Sequence, residues 1–146
     1  MRRTAVIVAF IVLAGCGQVQ DGGGEYEERL QAWRRMDYPL YRWTLIASEP
    51  VFGPHPMEIL VREGVPVRAY SRDEKLEIEG DHVDGRPGTV DSLIDWLIRY
   101  APDATSVNVE WASAGYPSKI ELDHSNAIDD EISFRVAEFV PRDEPS

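Results

Sequence analysis

The sequence contains little cysteine, little histidine and too few basic residues to balance its acids. Its 146 residues include one Cys, three His, 15 Lys or Arg and 26 Asp or Glu, so the formal net charge is -11. A single Cys excludes an internal disulfide framework and a zinc site built from several cysteines. The acidic balance argues against a nucleic-acid partner, because such partners are bound through basic contacts to phosphates.

Recognisable catalytic motifs are also missing. The sequence has no G-x-S-x-G, no H-E-x-x-H and no Gly-rich phosphate loop. His55, His82 and His124 are scattered, and no pair of them has the spacing of metal ligands. We therefore name no catalytic residue and favour a protein that is not an enzyme.

The N-terminus has an apolar run, Ala5–Leu13, that follows two arginines. A basic start and a short apolar segment are typical of a secretory signal peptide. The run is too short to span a bilayer, which requires about 20 apolar residues. It ends in Leu13-Ala14-Gly15-Cys16, which resembles the lipobox of a bacterial lipoprotein.

The resemblance to a lipobox implies that residues 1–15 are a signal peptide and that Cys16 carries covalent lipid. Two or three acyl chains would hold the protein stably, because each buried methylene contributes about 0.8 kcal/mol. We therefore expect a protein anchored by lipid on the extracytoplasmic side of the bacterial cell envelope. By the same resemblance, Gly17 favours the outer membrane over the inner one in a cell that has both.

Residues 16–24 are predicted to form a flexible, Gly-rich tether, and residues 25–146 a single domain. Without residues 1–15 the chain keeps 13 basic and 26 acidic residues, because both basic residues removed are arginines. A domain of that charge is repelled by an anionic membrane surface. We therefore expect the lipid to be the contact with the membrane.

The domain is predicted to have an α+β fold, with an antiparallel sheet of about five to six strands and two helices packed on one face. Helical spacing of apolar residues indicates a first helix over Glu25–Met36 and a second that follows its N-cap, Thr89, and ends before Pro102. Alternation of apolar and polar residues favours an antiparallel sheet. The predicted strands are Leu40–Ala47, Met57–Arg62, Val65–Tyr70, Val107–Trp111, Lys119–Asp123 and Ile132–Ala137.

Two segments are predicted to be loops. Glu49–Pro56 contains three prolines and a glycine. Arg72–Gly88 is rich in acids and poor in apolar residues, which indicates a long, mobile, acidic loop with at most one short extended piece.

Four motifs in the C-terminal half suggest a family: Thr89–Ile94, Val107-x-Val109, Gly115–Asp123 and Asp129–Phe134. Together they resemble the uncharacterised bacterial lipoproteins grouped as domain of unknown function 6174. The resemblance covers most of Glu25–Val140 and implies location and fold rather than an activity. Members often carry Cys-x-Cys after the first strand, whereas this chain has Ala47–Pro50 there. Any disulfide or metal role of that motif is therefore absent.

The segment Asp123–Glu131 is the densest polar cluster and the candidate metal site. Its possible ligands are the carboxylates of Asp123, Asp129, Asp130 and Glu131. Oxygen ligands of this kind suit Ca²⁺, although the segment lacks the EF-hand pattern. The alternative is a hairpin loop whose acids form turns and bind backbone amides.

Two aromatic residues are candidates for binding a partner. Trp96 lies off the centre of the apolar stripe of the second helix, and next to Arg99 and Tyr100 an exposed Trp would be a binding hot spot. Tyr116, between a Gly and a Pro, would be a recognition aromatic if its turn presents it. The alternatives are core packing for Trp96 and a purely structural turn around Tyr116.

These patterns favour a membrane-anchored envelope lipoprotein that acts as a non-enzymatic protein-interaction module. Its expected partners are the membrane, through the lipid, and another envelope protein. The alternative is a domain that binds a divalent cation or small ligand through the Asp123–Glu131 loop. No cofactor is expected besides the lipid on Cys16, with Ca²⁺ as the alternative ligand.

Overall fold

The computed structural model describes residues 22–50, 53–125 and 131–142. Two helices lie in these ranges, α1 (Gly22–Met36) and α2 (Val90–Tyr100), and a short 3-10 helix, Ala101–Asp103, follows α2. The strands are β1 (Leu40–Glu49), β2 (Gly53–Arg62), β3 (Val65–Ser71), β4 (Glu74–Lys75), β5 (Ile78–Glu79), β6 (His82–Val83), β7 (Arg86–Pro87), β8 (Ser106–Trp111), β9 (Pro117–Asp123) and β10 (Glu131–Pro141). The predicted signal peptide, Cys16 and most of the tether lie outside the described residues.

The architecture is α+β with antiparallel sheets, as the alternating sequence pattern predicted. Seven strands form one sheet in the order β4-β3-β2-β1-β10-β9-β8, and β5, β6 and β7 form a second sheet. The prediction of about five to six strands was therefore wrong. It missed the two-residue strands, which are too short to show a detectable alternation of apolar and polar residues.

The segment Arg72–Gly88 is not the long loop that its composition predicted. It contains β4 and the whole second sheet, and Val83 in that sheet is fully buried. The chain reverses direction at Gly80 and at Asp84-Gly85, all of which have positive φ. Closely spaced turns of this kind produce a compact meander despite the low apolar content.

The predicted loop over Glu49–Pro56 is also largely extended. β1 continues to Glu49, and β2 begins at Gly53 and includes Pro54 and Pro56. β3 pairs with β2 only from Glu58 onward, so the first part of β2 has a described partner strand on one side alone. Strand prolines are tolerated at such an edge, because they have no N–H to donate.

The first helix begins earlier than predicted. It starts at Gly22, so the glycines assigned to the end of the tether belong to its first turn. Leu30 and Trp33 bury the helix against the core. This packing supplies stability that a glycine-rich first turn lacks by itself.

The second helix and its cap are confirmed. Thr89 Oγ1 accepts a hydrogen bond from the backbone N–H of Ser92, and Ser92 Oγ accepts one from the N–H of Thr89, both at 3.0 Å. This is a reciprocal capping box with Ser in the place usually taken by Glu or Gln. The predicted hairpin of β2 and β3 is confirmed too, and Glu63 and Gly64 at its turn both have positive φ.

The core lies on one face of the seven-stranded sheet. Trp33 of α1 contacts Tyr41 of β1, and Trp96 of α2 contacts Phe134 of β10. Val83 of the second sheet belongs to the same core. The prediction of two helices packed on one face is therefore corrected in part, because the second sheet also covers this face. Within the described residues, no helix is both long and apolar enough to cross a membrane.

Candidate functional site

A cleft of about 790 Å³ lies beside α2, between the second sheet and β10. Trp96 and Tyr100 of α2 line it together with Phe134 of β10, and Glu49 and Arg86 line it from β1 and the second sheet. We call it the Trp96 cleft. Its volume is within the range of about 300–1,000 Å³ that is usual for ligand pockets.

Four rings form a continuous row along the Trp96 cleft and beyond it. Trp96 meets Phe134 edge to face at 4.8 Å between ring centroids and Tyr100 at 5.1 Å, and Tyr100 meets the ring of His124 at 6.3 Å. We call these rings the aromatic row. Trp96 is half-buried, whereas Tyr100 is exposed. The contacts on both sides hold Trp96 in one orientation while part of its surface lines the cleft.

β1 and the second sheet form another wall of the cleft, which is held together by ion pairs and which we call the ion-paired wall. Arg86 Nε donates to Glu49 Oε1 at 2.9 Å, and Arg86 Nη1 donates to Asp84 Oδ2 and to the backbone oxygen of Asp84, both at 3.1 Å. The Arg86 side chain is only 17% exposed. Its guanidinium is therefore held by the end of β1 at Glu49 and by the turn at Asp84, and it ties the second sheet to β1.

Two charges at the cleft have no ion-pair partner within the parts of the chain that the structure describes. These are Asp95 and Arg99 of α2, both exposed. The site thus combines aromatic surface, one held guanidinium and two available charges of opposite sign. Such a combination is suited in chemistry to a ligand that has both apolar and polar groups.

The candidate metal loop begins next to the Trp96 cleft, because His124 is at the end of the aromatic row. Asp123 and Glu131 lie opposite each other in the β9–β10 ladder. Asp123 Oδ1 accepts a hydrogen bond from the N–H of Ser125 at 3.0 Å, which is the turn-forming role that the alternative interpretation assigned to these acids. Asp129 and Asp130 lie outside the described residues.

Across residues 22–50, 53–125 and 131–142, no three His, Cys, Asp or Glu side chains are grouped to hold a metal ion. Asp123 and Glu131 are therefore the part of the predicted ligand set that the structure places together.

Tyr116 is in a different aromatic cluster and does not line the Trp96 cleft. It is half-buried against Phe139, with ring centroids 4.7 Å apart. The preceding residue, Gly115, has φ +97°, and a Cβ there would lie 3.9 Å from the Trp33 ring. The turn therefore has a packing role, and the structure does not bring Tyr116 together with Trp96.

Sequence reasoning found Trp96, Arg99 and Tyr100 but missed the ion-paired wall. The three residues are close in sequence on one helix, so their spacing was visible. Glu49 and Arg86 are 37 positions apart and were assigned to loops. The Gly residues at positions 80 and 85 were the available signal, because they mark the turns of the second sheet.

The fold and the motifs together define an α+β domain with a long antiparallel sheet. Residues 25–141 match a family of unknown function, DUF6174. The chain belongs to this family, as the resemblance of its C-terminal half predicted. No curated protein is significantly similar in sequence to the chain.

Proposed function

We propose that this protein is a lipid-anchored protein of the bacterial cell envelope that binds a segment of a partner protein in the Trp96 cleft. The observation that carries the proposal is the aromatic row in a concave site, opposite the held guanidinium of Arg86. Trp, Tyr and Arg are the residues that most often dominate binding energy at protein interfaces.

The Trp96 cleft is organised before a partner arrives. Ring contacts orient Trp96, and hydrogen bonds to Glu49 and Asp84 orient Arg86. Binding to side chains that are already ordered costs about 0.5–1.5 kcal/mol less for each rotamer that need not be immobilised. This favours recognition of a short segment, which supplies little binding energy of its own.

Asp95 and Arg99 would provide selectivity. Both are exposed at the cleft, and neither has an ion-pair partner among the described residues. Complementary charges at an interface rim raise the association rate and reject partners of the wrong charge. The expected segment therefore has an apolar or aromatic side chain for the aromatic row and polar groups of both signs beside it.

The envelope location is supported by the N-terminal sequence. The signal-like run, the lipobox-like Leu13-Ala14-Gly15-Cys16 and the few residues between Cys16 and α1 agree with a domain held near a membrane by lipid. A nearby membrane concentrates the domain with other envelope proteins, so that weak binding in the cleft becomes effective.

Site-specific photocrosslinking tests the proposal in the intact envelope. A photoreactive residue replaces Tyr100 in the full chain, and in a matched control it replaces Met36, which is 50% exposed in the last turn of α1. We expect a discrete protein adduct from position 100 and none from position 36. Loss of that adduct on Arg99→Ala would support binding in the cleft. No adduct from position 100, or the same adduct from both positions, would refute it.

A second candidate function is binding of a divalent cation by the Asp123–Glu131 loop. The cross-strand placement of Asp123 and Glu131 favours it, because like charges directly opposite each other in a ladder are destabilising. A cation between the carboxylates would remove that repulsion. A rise in melting temperature on addition of Ca²⁺ would separate this candidate from the first.

A further inference from the structure

A second, smaller pocket lies on the face of the seven-stranded sheet that the helices do not cover. Its volume is about 150 Å³, and Arg42, Arg68 and Arg142 line it together with Glu58 and Tyr70. We call it the arginine pocket. None of these residues lines the Trp96 cleft.

The strand register explains why the three arginines converge. Arg42 of β1 is opposite Leu60 of β2, and Leu60 is opposite Arg68 of β3. Residues that are paired across a sheet share a face, so Arg42 and Arg68 are on one side of it, about 10 Å apart across two strand spacings. Arg142 follows β10 and joins them because its backbone N–H donates to the oxygen of Leu40 at 2.8 Å.

The guanidinium groups of this pocket are poorly paired in the protein itself. Arg42 Nη2 is 3.4 Å from both carboxylate oxygens of Glu138, which is longer than the roughly 2.7–2.9 Å of a strong charge-assisted bond. The Nε atom of Arg42 is shielded from solvent and has no acceptor in the described structure. Arg68 and Arg142 are exposed and have no ion-pair partner among the described residues.

This concentration of positive charge occurs in a protein whose net charge is -11. Three arginines line the pocket with Glu58, and Glu138 pairs with Arg42, so the arginines exceed the neighbouring carboxylates by one positive charge. A phosphate group near neutral pH carries about -1.5 to -2 charges. Guanidinium groups also match phosphate oxygens in geometry, because each can donate two parallel hydrogen bonds.

We propose that the arginine pocket binds a phosphate group, held by Arg42, Arg68 and Arg142 with the Tyr70 hydroxyl as a further donor. The group belongs either to a soluble phosphorylated molecule or to a phospholipid headgroup, both of which present anionic phosphate oxygens to the pocket. The acidity of the remaining surface opposes approach to an anionic membrane.

Calorimetric titration of the full chain with inorganic phosphate tests the proposal, with Cys16→Ser used throughout to exclude attached lipid. Vesicles of phosphatidylcholine with and without phosphatidylglycerol form the second arm. The variants Arg68→Gln and Arg142→Gln each remove one exposed charge from the pocket, and Arg35→Gln removes an exposed charge of α1 that does not line the pocket.

We expect saturable phosphate binding that weakens at least fivefold in Arg68→Gln and in Arg142→Gln and is unchanged in Arg35→Gln. Binding to phosphatidylglycerol vesicles alone, reduced by the same two substitutions, would identify a lipid headgroup as the source. Absence of binding in both arms would overturn the proposal. Equal weakening by Arg35→Gln would overturn it too, because the effect would then depend on overall charge.

Discussion

The hydroxyl oxygen of Tyr41 on β1 accepts a hydrogen bond of 3.1 Å from the backbone N–H of Val90, the first residue of α2. Two residues further along β1, Trp43 Nε1 donates to the backbone oxygen of Gly88 at 3.2 Å. Two aromatic side chains of one strand thus hold the start of the helix that carries Trp96. The position of the candidate site therefore depends on β1 as much as on α2.

Because of Tyr41, the stability of the fold should decrease as the pH becomes alkaline. Burial raises the pKa of Tyr41 above its usual value near 10, the hydrogen bond from Val90 lowers it in part, and the charge of Asp91 raises it further. The folded protein thus resists ionisation of Tyr41, and the unfolded chain does not. We expect its contribution to stability to be complete below pH 10 and to decline above it by about 1.4 kcal/mol per pH unit.

Urea denaturation between pH 8 and pH 11.5 measures this decline. In Tyr41→Phe the free energy of unfolding should fall by about 1 kcal/mol at pH 8, through loss of the bond to Val90, and should depend less on pH above 10. Tyr26→Phe is the comparison variant, because partial burial and the charge of Glu25 also raise the pKa of Tyr26. An identical alkaline decline in wild type and Tyr41→Phe would contradict the prediction.

Gly88 is where the second sheet, β3 and the start of α2 meet most closely. A Cβ at this position would lie 2.9 Å from the Asp81 oxygen, from Pro66 Cγ and from Val83 Cγ2. We expect Gly88→Ala to lower the free energy of unfolding by roughly 1–3 kcal/mol through overpacking. Urea denaturation curves at neutral pH provide the measurement.

Gly24→Ala is the matched control for Gly88→Ala. A Cβ at position 24 meets no atom within 4 Å, and the residue lies in α1. Alanine there should stabilise the protein by about 0.5–1 kcal/mol, because glycine loses more backbone freedom in a helix. Equal stability of both variants would mean that the second sheet does not pack at Gly88 as described.

Lipid attachment at Cys16 predicts how the protein fractionates. Cys16 is the single cysteine, so Cys16→Ser removes every thiol from the chain. We expect the protein to move from the membrane fraction to the soluble extracytoplasmic fraction, because no acyl chain remains to hold it. Gly17→Ser, which keeps the cysteine, should stay with the membranes. Unchanged membrane association of Cys16→Ser would rule out the lipid anchor.

Thermal melting tests the cation candidate at the Asp123–Glu131 loop. If the loop binds Ca²⁺, millimolar Ca²⁺ should raise the melting temperature by several degrees relative to chelator, because a ligand of the folded state stabilises it. The double variant Asp123→Asn/Glu131→Gln should lose that response. It should also be slightly more stable than wild type in chelator, since the repulsion between the two carboxylates is gone. Identical melting of the wild type in Ca²⁺ and in chelator would remove this candidate.

The elements that could be predicted are those with a long, regular pattern. The second helix has five apolar residues at helical spacing, and Thr89 caps it where the sequence indicated. The three C-terminal strands alternate over five residues or more and lie where they were predicted. Local spacing was sufficient there, because each pattern reports which face of its own element is buried.

The second sheet could not be predicted in the same way. Each of its strands has two residues, and Val83 is buried through contact with residues distant in sequence. Contacts between residues that are distant in sequence also limited the prediction of the sites. Trp96 was found because Arg99 and Tyr100 are its neighbours on one helix, whereas the arginine pocket depends on pairing among β1, β2, β3 and β10.

The amino-acid sequence by itself determined the α+β class, the capped second helix, the hairpin at Glu63-Gly64 and the family of the chain. Only the tertiary structure decided that Glu49 and Arg86 face Trp96 across one cleft and that Arg42, Arg68 and Arg142 share another pocket. The physical reason is that helix and strand periodicity record burial within one element. A site made from several elements depends on strand order and register, which no single segment encodes.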